Sequence, residues 1–189
     1  MTGSPRAWAL VTGLASGAVA CGLLARGPVD GAAVAALVGW AVAVSLLALI
    51  DAGKFVLPTP ILRVAIVTTG GGLVAAGALS GQWQRPLGAA GAVGVAAAVY
   101  GTWSLLSPVG IGFGDVRMAC LVALGVGARS LPVALVVLAW APLAAALMGK
   151  YWRPVRPPMT TAIPEGGIPI PLGPFLACAG ILGVVAVAI

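Results

Sequence analysis

Histidine is absent from all 189 residues, and only four residues are acidic: Asp30, Asp51, Asp115 and Glu165. The first absence removes histidine triads, histidine metal ligation and histidine proton shuttles together. The three cysteines, Cys21, Cys120 and Cys178, lie singly in apolar sequence with no C-x-x-C pair. Neither a disulfide framework nor a thiolate zinc site fits that spacing, and they read as small hydrophobes between helices. Charge is scarce too, at 7% of residues against 61% hydrophobic. With a mean hydropathy of +1.13, the composition belongs to polytopic membrane proteins and lies outside the range of soluble domains. The net charge of +6 comes from basic residues scattered singly between apolar runs. That pattern suits anchoring at membrane surfaces, and no nucleic-acid partner is expected.

What is present is a series of apolar runs. A spanning helix takes roughly 20 mainly apolar residues. By that measure helices are predicted near 7–25, 31–50, 62–82, 87–107, 131–149 and 170–189. The fold class is therefore all-α, a single transmembrane domain of six or seven spans with no separate cytoplasmic module. The first run lacks an A-x-A cleavage site before Arg26, so it reads as a retained helix. A seventh apolar piece, 116–128, is too short to cross a hydrocarbon core of about 30 Å. Either Asp115 starts below the surface or the glycine-rich segment before it dips into the membrane. Glycine pairs such as Gly13/Gly17 and Gly77/Gly81 have the small-xxx-small spacing of close helix packing. Lys150–Ile168, rich in proline, reads as a partly extended cytoplasmic loop.

Basic residues set the orientation. With seven spans and the N-terminus inside, Arg6, Lys54, Arg63, Arg117, Lys150, Arg153 and Arg156 are inside, and Arg26, Arg85 and Arg129 outside. The excess of inner basic residues favours this arrangement in a cytoplasmic (inner) membrane. Asp51, Asp115 and Glu165 then share the cytoplasmic side, while Asp30 lies outside.

A carboxylate at or inside a bilayer is costly and marks either a structural pairing or chemistry. Two that face one another resist double ionisation and share a proton, which is the equipment of an aspartic protease. Asp115 closes the turn Gly110-Ile-Gly112-Phe-Gly114-Asp115. Its glycines permit close backbone approach, so an extended substrate strand can lie against the turn. Taken alone, Asp115 is equally a helix N-cap and Asp51 equally a residue that ends its helix. Arg117 reads as a membrane anchor or as a neutraliser of the pair, with Lys54 and Arg63 as anchors. Trp8, Trp83, Trp103 and Trp152 sit near span ends, where aromatic belts form.

Three segments resemble the prepilin (type IV leader) peptidase family of membrane aspartic proteases. Gly112-Phe-Gly114-Asp115-Val-Arg117-Met is similar to its G-x-G-D-[VF]-K-[LM] signature. Ile50-Asp51-Ala-Gly-Lys-Phe-Val-Leu57-Pro58 is similar to its I-D-x5-L-P segment. Ile168-Pro-Ile-Pro171-Leu172-Gly173-Pro174-Phe175-Leu-Ala resembles the segment that opens its last helix. The likeness covers roughly 31–189. It implies Asp51 and Asp115 as the catalytic pair, and Gly112, Gly114, Arg117, Pro58, Pro171 and Gly173 as substrate-binding or site-shaping residues. It implies no metal and no other cofactor. The partners it implies are the lipid bilayer and a prepilin-like substrate with a short basic leader, a glycine before the cut and a hydrophobic helix after it. Three departures stand out. Thr59 replaces the acidic residue that usually follows Leu-Pro, Arg117 replaces lysine, and the cytoplasmic C-x-x-C domain of the bifunctional members is missing, so the resemblance does not extend to their N-methylation. Two other classes stay open: a small transporter whose carboxylates bind protons or cations, and a non-catalytic helper of a secretion or pilus machine. A presenilin-like protease shares G-x-G-D, but the I-D-x5-L-P segment and the small size argue against it.

Overall fold

The computed structural model describes residues 31–54, 57–106, 111–149 and 172–188. These residues form six helices and no strand: α1 Gly31–Lys54, α2 Thr59–Ser80, α3 Gln84–Leu106, α4 Phe113–Gly127, α5 Leu131–Gly149 and α6 Leu172–Ala188. The expected helix at 7–25, the loop at Lys150–Ile168, Gly13/Gly17, Cys21, Asp30, Trp8, Trp152, Glu165 and Pro171 lie outside the described residues.

Several predicted boundaries move. The helices expected to start near 62 and 87 start at Thr59 and Gln84. Both starts take in prolines, Pro60 and Pro86, whose missing N–H costs nothing in a first turn. Pro58 precedes α2 with extended backbone, and its carbonyl accepts the Leu62 N–H at 3.2 Å. α1 runs past its expected end to Lys54, so Asp51 belongs to its last turn. α2 closes at Gly81, whose φ of 70° is the left-handed conformation of a helix C-cap. The Gly77/Gly81 pair therefore divides its work: Gly77 is buried against Pro86, and Gly81 ends the helix.

α4 is the short apolar piece, and it stands in the middle. It packs against each of the other five helices, and those five form a closed ring in the order α1, α2, α3, α5, α6. From Val116 to Ala128 every side chain except Arg117 and Cys120 is buried. A helix that is apolar on all sides belongs inside a bundle. At 15 residues α4 is about 22 Å long, and it need not reach across a bilayer because its neighbours surround it.

Small residues set the spacing. α3 turns Ala89, Ala92, Ala96 and Tyr100 toward the core, the i, i+3, i+7, i+11 stripe of one helix face. Across from it, a side chain on Gly88 would meet the Gly127 carbonyl oxygen at 2.6 Å. Such contact between backbones is how helices associate in lipid. Two buried hydrogen bonds tie the bundle together: Trp40 Nε1 of α1 donates to the Leu121 carbonyl of α4, and the Tyr100 hydroxyl of α3 to that of Leu138 in α5, both at 2.6 Å. The Trp40 indole occupies the space that a side chain on Gly125 would need.

The outer faces are apolar as well. Leu79 is 82% exposed, Leu105 78% and Val67 70%. Aliphatic surface of this extent marks contact with lipid or a partner. Three helical stretches, Gly31–Ala52, Thr59–Ser80 and Gln84–Leu106, are long and apolar enough to cross a membrane.

Candidate active site

One end of the bundle collects the last turn of α1, the starts of α2, α4 and α6, and the last turn of α3. Its chemistry begins with two carboxylates on different helices. Asp51, 5% exposed, stands in the last turn of α1. A carboxylate at a helix C-terminus faces the negative end of its own dipole. α6 supplies the compensation: the Gly173 N–H, in that helix's first turn, donates to Asp51 Oδ2 at 3.1 Å. The approach is tight, because a Cβ on Gly173 would stand 2.6 Å from the same oxygen.

Asp115 is half-buried and is the third residue of α4. The N-cap itself is Gly112, with extended backbone at ψ 153°. The simple capping alternative for Asp115 is thereby revised, since it lies inside the first turn. Its Oδ2 reaches back to accept the Gly112 N–H at 3.2 Å, the acidic half of a capping box. Glycine has no side chain to return the bond, and the Asp115 N–H goes to the Gly112 carbonyl at 2.9 Å. This carboxylate sits at the positive end of its own helix.

The two aspartates thus use one device. Each has one oxygen anchored by a glycine N–H at or near a helix start. Asp51, in the last turn of α1, and Asp115, in the first turn of α4, stand at the same end of two helices in contact. Buried Tyr100 stands in α3. Its hydroxyl is committed to Leu138. Nothing in the local sequence around Tyr100 signals this proximity, which depends on packing.

The other expected site residues divide. Gly114 faces Leu57, where an added Cβ would stand 3.3 Å from the leucine Cβ. The Leu57-Pro58 segment therefore packs on the turn that carries Asp115. Arg117 donates from Nη1 to Thr59 Oγ1 at 3.0 Å, and its guanidinium lies 5.8 Å from the centre of the Phe113 ring. Among the described residues it bonds to neither aspartate, so it joins α4 to the start of α2. Thr59, read as a missing carboxylate, is the acceptor of that bond. Ser104 closes the rim by donating to the Ile111 carbonyl at 2.9 Å. No group of three or more metal-ligating side chains occurs among the described residues.

Trp83 and Trp103, expected near span ends, lie in the α2–α3 turn and near the end of α3, and both are exposed. Sequence reasoning missed Trp40, because a buried indole and an interfacial one look alike in a linear pattern. No protein-family model matches the chain, and neither a curated protein nor a solved structure matches it.

Proposed function

We propose that the protein is a membrane-embedded aspartic endopeptidase with Asp51 and Asp115 as its catalytic pair. The substrate class is a prepilin-like precursor, cut between a short basic leader and a hydrophobic helix at the cytoplasmic face. The observation that carries this reading is the meeting of α1 and α4 at one end of the bundle. Two carboxylates stand there on contacting helices, each steadied by a backbone N–H. The resemblance of the segments around Asp51, Asp115 and Gly173 to leader peptidases supports it. So do three helices long enough to cross a bilayer and a lipid-like outer surface. In this reading the chain is a polytopic bundle of six or seven spans, with α4 enclosed by its neighbours.

The chemistry requires water and the two carboxyl groups. The ionised aspartate takes a proton from water as the oxygen adds to the scissile carbonyl carbon. The protonated aspartate gives its proton to the carbonyl oxygen, and a tetrahedral diol forms. Collapse of the diol breaks the C–N bond, and the proton held by the base passes to the departing amine. The titration belongs to the pair rather than to either residue. Glycine at 112 and 114 leaves backbone beside Asp115 open to an unwound substrate strand.

The test incubates purified protein with a type IV pilin-like precursor and compares wild type with Asp51→Asn and Asp115→Asn. Both variants should insert, fold and fail to cleave. Cleavage retained in either one removes that residue from the mechanism. Proton or cation flux through wild-type protein in liposomes, without proteolysis, would support the transporter reading in its place.

A further inference from the structure

The central helix is not covered equally on all its faces. Between Val116 and Ala128 only Arg117 and Cys120 keep part of their surface open, and Phe113 before them is 60% exposed. These three follow the i, i+4, i+7 spacing of one helix face, which Leu124 continues. Contacts on either side show where that face looks. Arg117 reaches Thr59 at the start of α2, and Leu124 lies 3.9 Å from the place of a Cβ on Gly70 of α2. Two turns beyond Cys120, Gly127 is held against Gly88 and Ala92 of α3. The open strip of α4 therefore faces the seam between α2 and α3.

That seam is shut at one end and parts toward the other. Beside the α2–α3 turn, a Cβ on Gly77 would stand 3.1 Å from Pro86. One and two turns back along the same face of α2 come Val74, 50% exposed, and Gly70. A Cβ on Gly70 would meet Leu124 and, among the described residues, no atom of α3 within 4 Å. On α3 the face that begins at Pro86 continues through Ala90, Val93 and Ala97, and both alanines are exposed. The two helices thus touch at their turn and diverge toward the end that holds the aspartates. The result is a wedge with apolar walls. Its small residues, Gly70, Ala90 and Ala97, leave room for another helix to come close.

The wedge runs into the candidate active site. Phe113, at its wide end, precedes Asp115 by two residues, and Cys120 follows the aspartate by five, about 7.5 Å along the axis. A substrate segment that is itself an apolar helix stays at the depth of the hydrocarbon, because leaving it exposes apolar surface to water. Such a helix reaches the carboxylates from the side, between two helices of the ring.

We propose that the wedge between α2 and α3 docks the hydrophobic helix of the precursor, so that the chain just before that helix leads to Asp51 and Asp115. This rests on the peptidase reading and adds to it the route of entry. The test uses the full chain in lipid nanodiscs with a type IV pilin-like precursor. The photo-cross-linker p-benzoylphenylalanine replaces Ala97 or Val74 in the wedge, or Val136 on the exposed face of α5. Positions 97 and 74 should cross-link the apolar helix of the precursor, cut or uncut, and position 136 should not. Ala97→Trp narrows the wedge from an exposed position. It should raise KM about tenfold, the scale of one lost interfacial anchor, with kcat nearly unchanged. Val136→Trp should change neither. Thermal unfolding reports whether each variant folds, and where Ala97→Trp does not, the cross-links from position 74 decide. Suppose wild type cuts the precursor while positions 97 and 74 capture only lipid or a second copy of the chain. The docking proposal is then overturned and the peptidase reading stands. An unchanged KM in folded Ala97→Trp has the same meaning. A wild type that cuts nothing removes the peptidase reading and this proposal with it.

Discussion

The two ends of this bundle meet charge in different ways: two buried or half-buried aspartates stand at one, two arginines at the other. At one end Asp51 and Asp115 each meet a glycine N–H near a helix start. At the other, Arg85 and Arg129 line a cavity between helix ends, over a floor where α3 and α4 nearly touch. Glycine sets the spacing in both places, through Gly173 against Asp51 and through Gly88 against Gly127. The difference lies in how charge meets backbone. The carboxylates are drawn in and steadied by helix starts, and Asp51 is almost wholly buried. Arg85 stands against the dipole of its own helix.

The sharpest way to separate the ends is to neutralise each. Asp51→Asn and Asp115→Asn should each lower the cleavage rate on the order of a thousandfold, as losses of directly reacting groups do. Arg85→Gln should leave the rate unchanged, and a single-turnover assay on a pilin-like precursor measures both. Gly173→Ala should come next. Its new methyl group must displace the Asp51 carboxylate, and misplacement by about an ångström costs roughly a hundredfold in rate. The expected signature is a lost rate with a nearly unchanged unfolding temperature. Gly125→Ala attacks the middle of the molecule by forcing Trp40 aside, and overpacking of this kind costs about 1–3 kcal/mol. Thermal unfolding in detergent should show the loss, with a change in tryptophan emission. Thr59→Val, the mildest of the set, deletes the acceptor of Arg117. It should cost about 1 kcal/mol, the net value of a partly buried hydrogen bond, read by the same unfolding assay.

How much of this was legible in the sequence differs by element. The all-helical fold and the helix over 131–149 follow from apolar runs alone, and α5 occupies Leu131–Gly149. α2 and α3 start three residues before the apolar runs suggest, because a first turn accepts Pro60 and Pro86. Asp115 was weighed as an N-cap, but Gly112 takes that position and draws the aspartate into the helix. The central place of α4 was half visible. Its run was recognised as too short to cross, yet its apolar character on all sides was not read as enclosure. The contacts Gly173–Asp51, Trp40–Leu121 and Tyr100–Leu138 join residues 122, 81 and 38 positions apart. Local pattern carries no information about such pairs. Among the described residues three helices are long and apolar enough to cross a membrane, which supports the membrane class.

The ring of five helices around α4 has a mechanical consequence. A rod gripped on every side cannot slide or tilt without disturbing all its neighbours together, whereas each outer helix has one flank turned away from the bundle. If the two carboxyl groups draw nearer when a peptide arrives, Asp115 is the fixed jaw. In the proposed peptidase the moving jaw would then be Asp51, carried by α1 and tethered to α6 through Gly173.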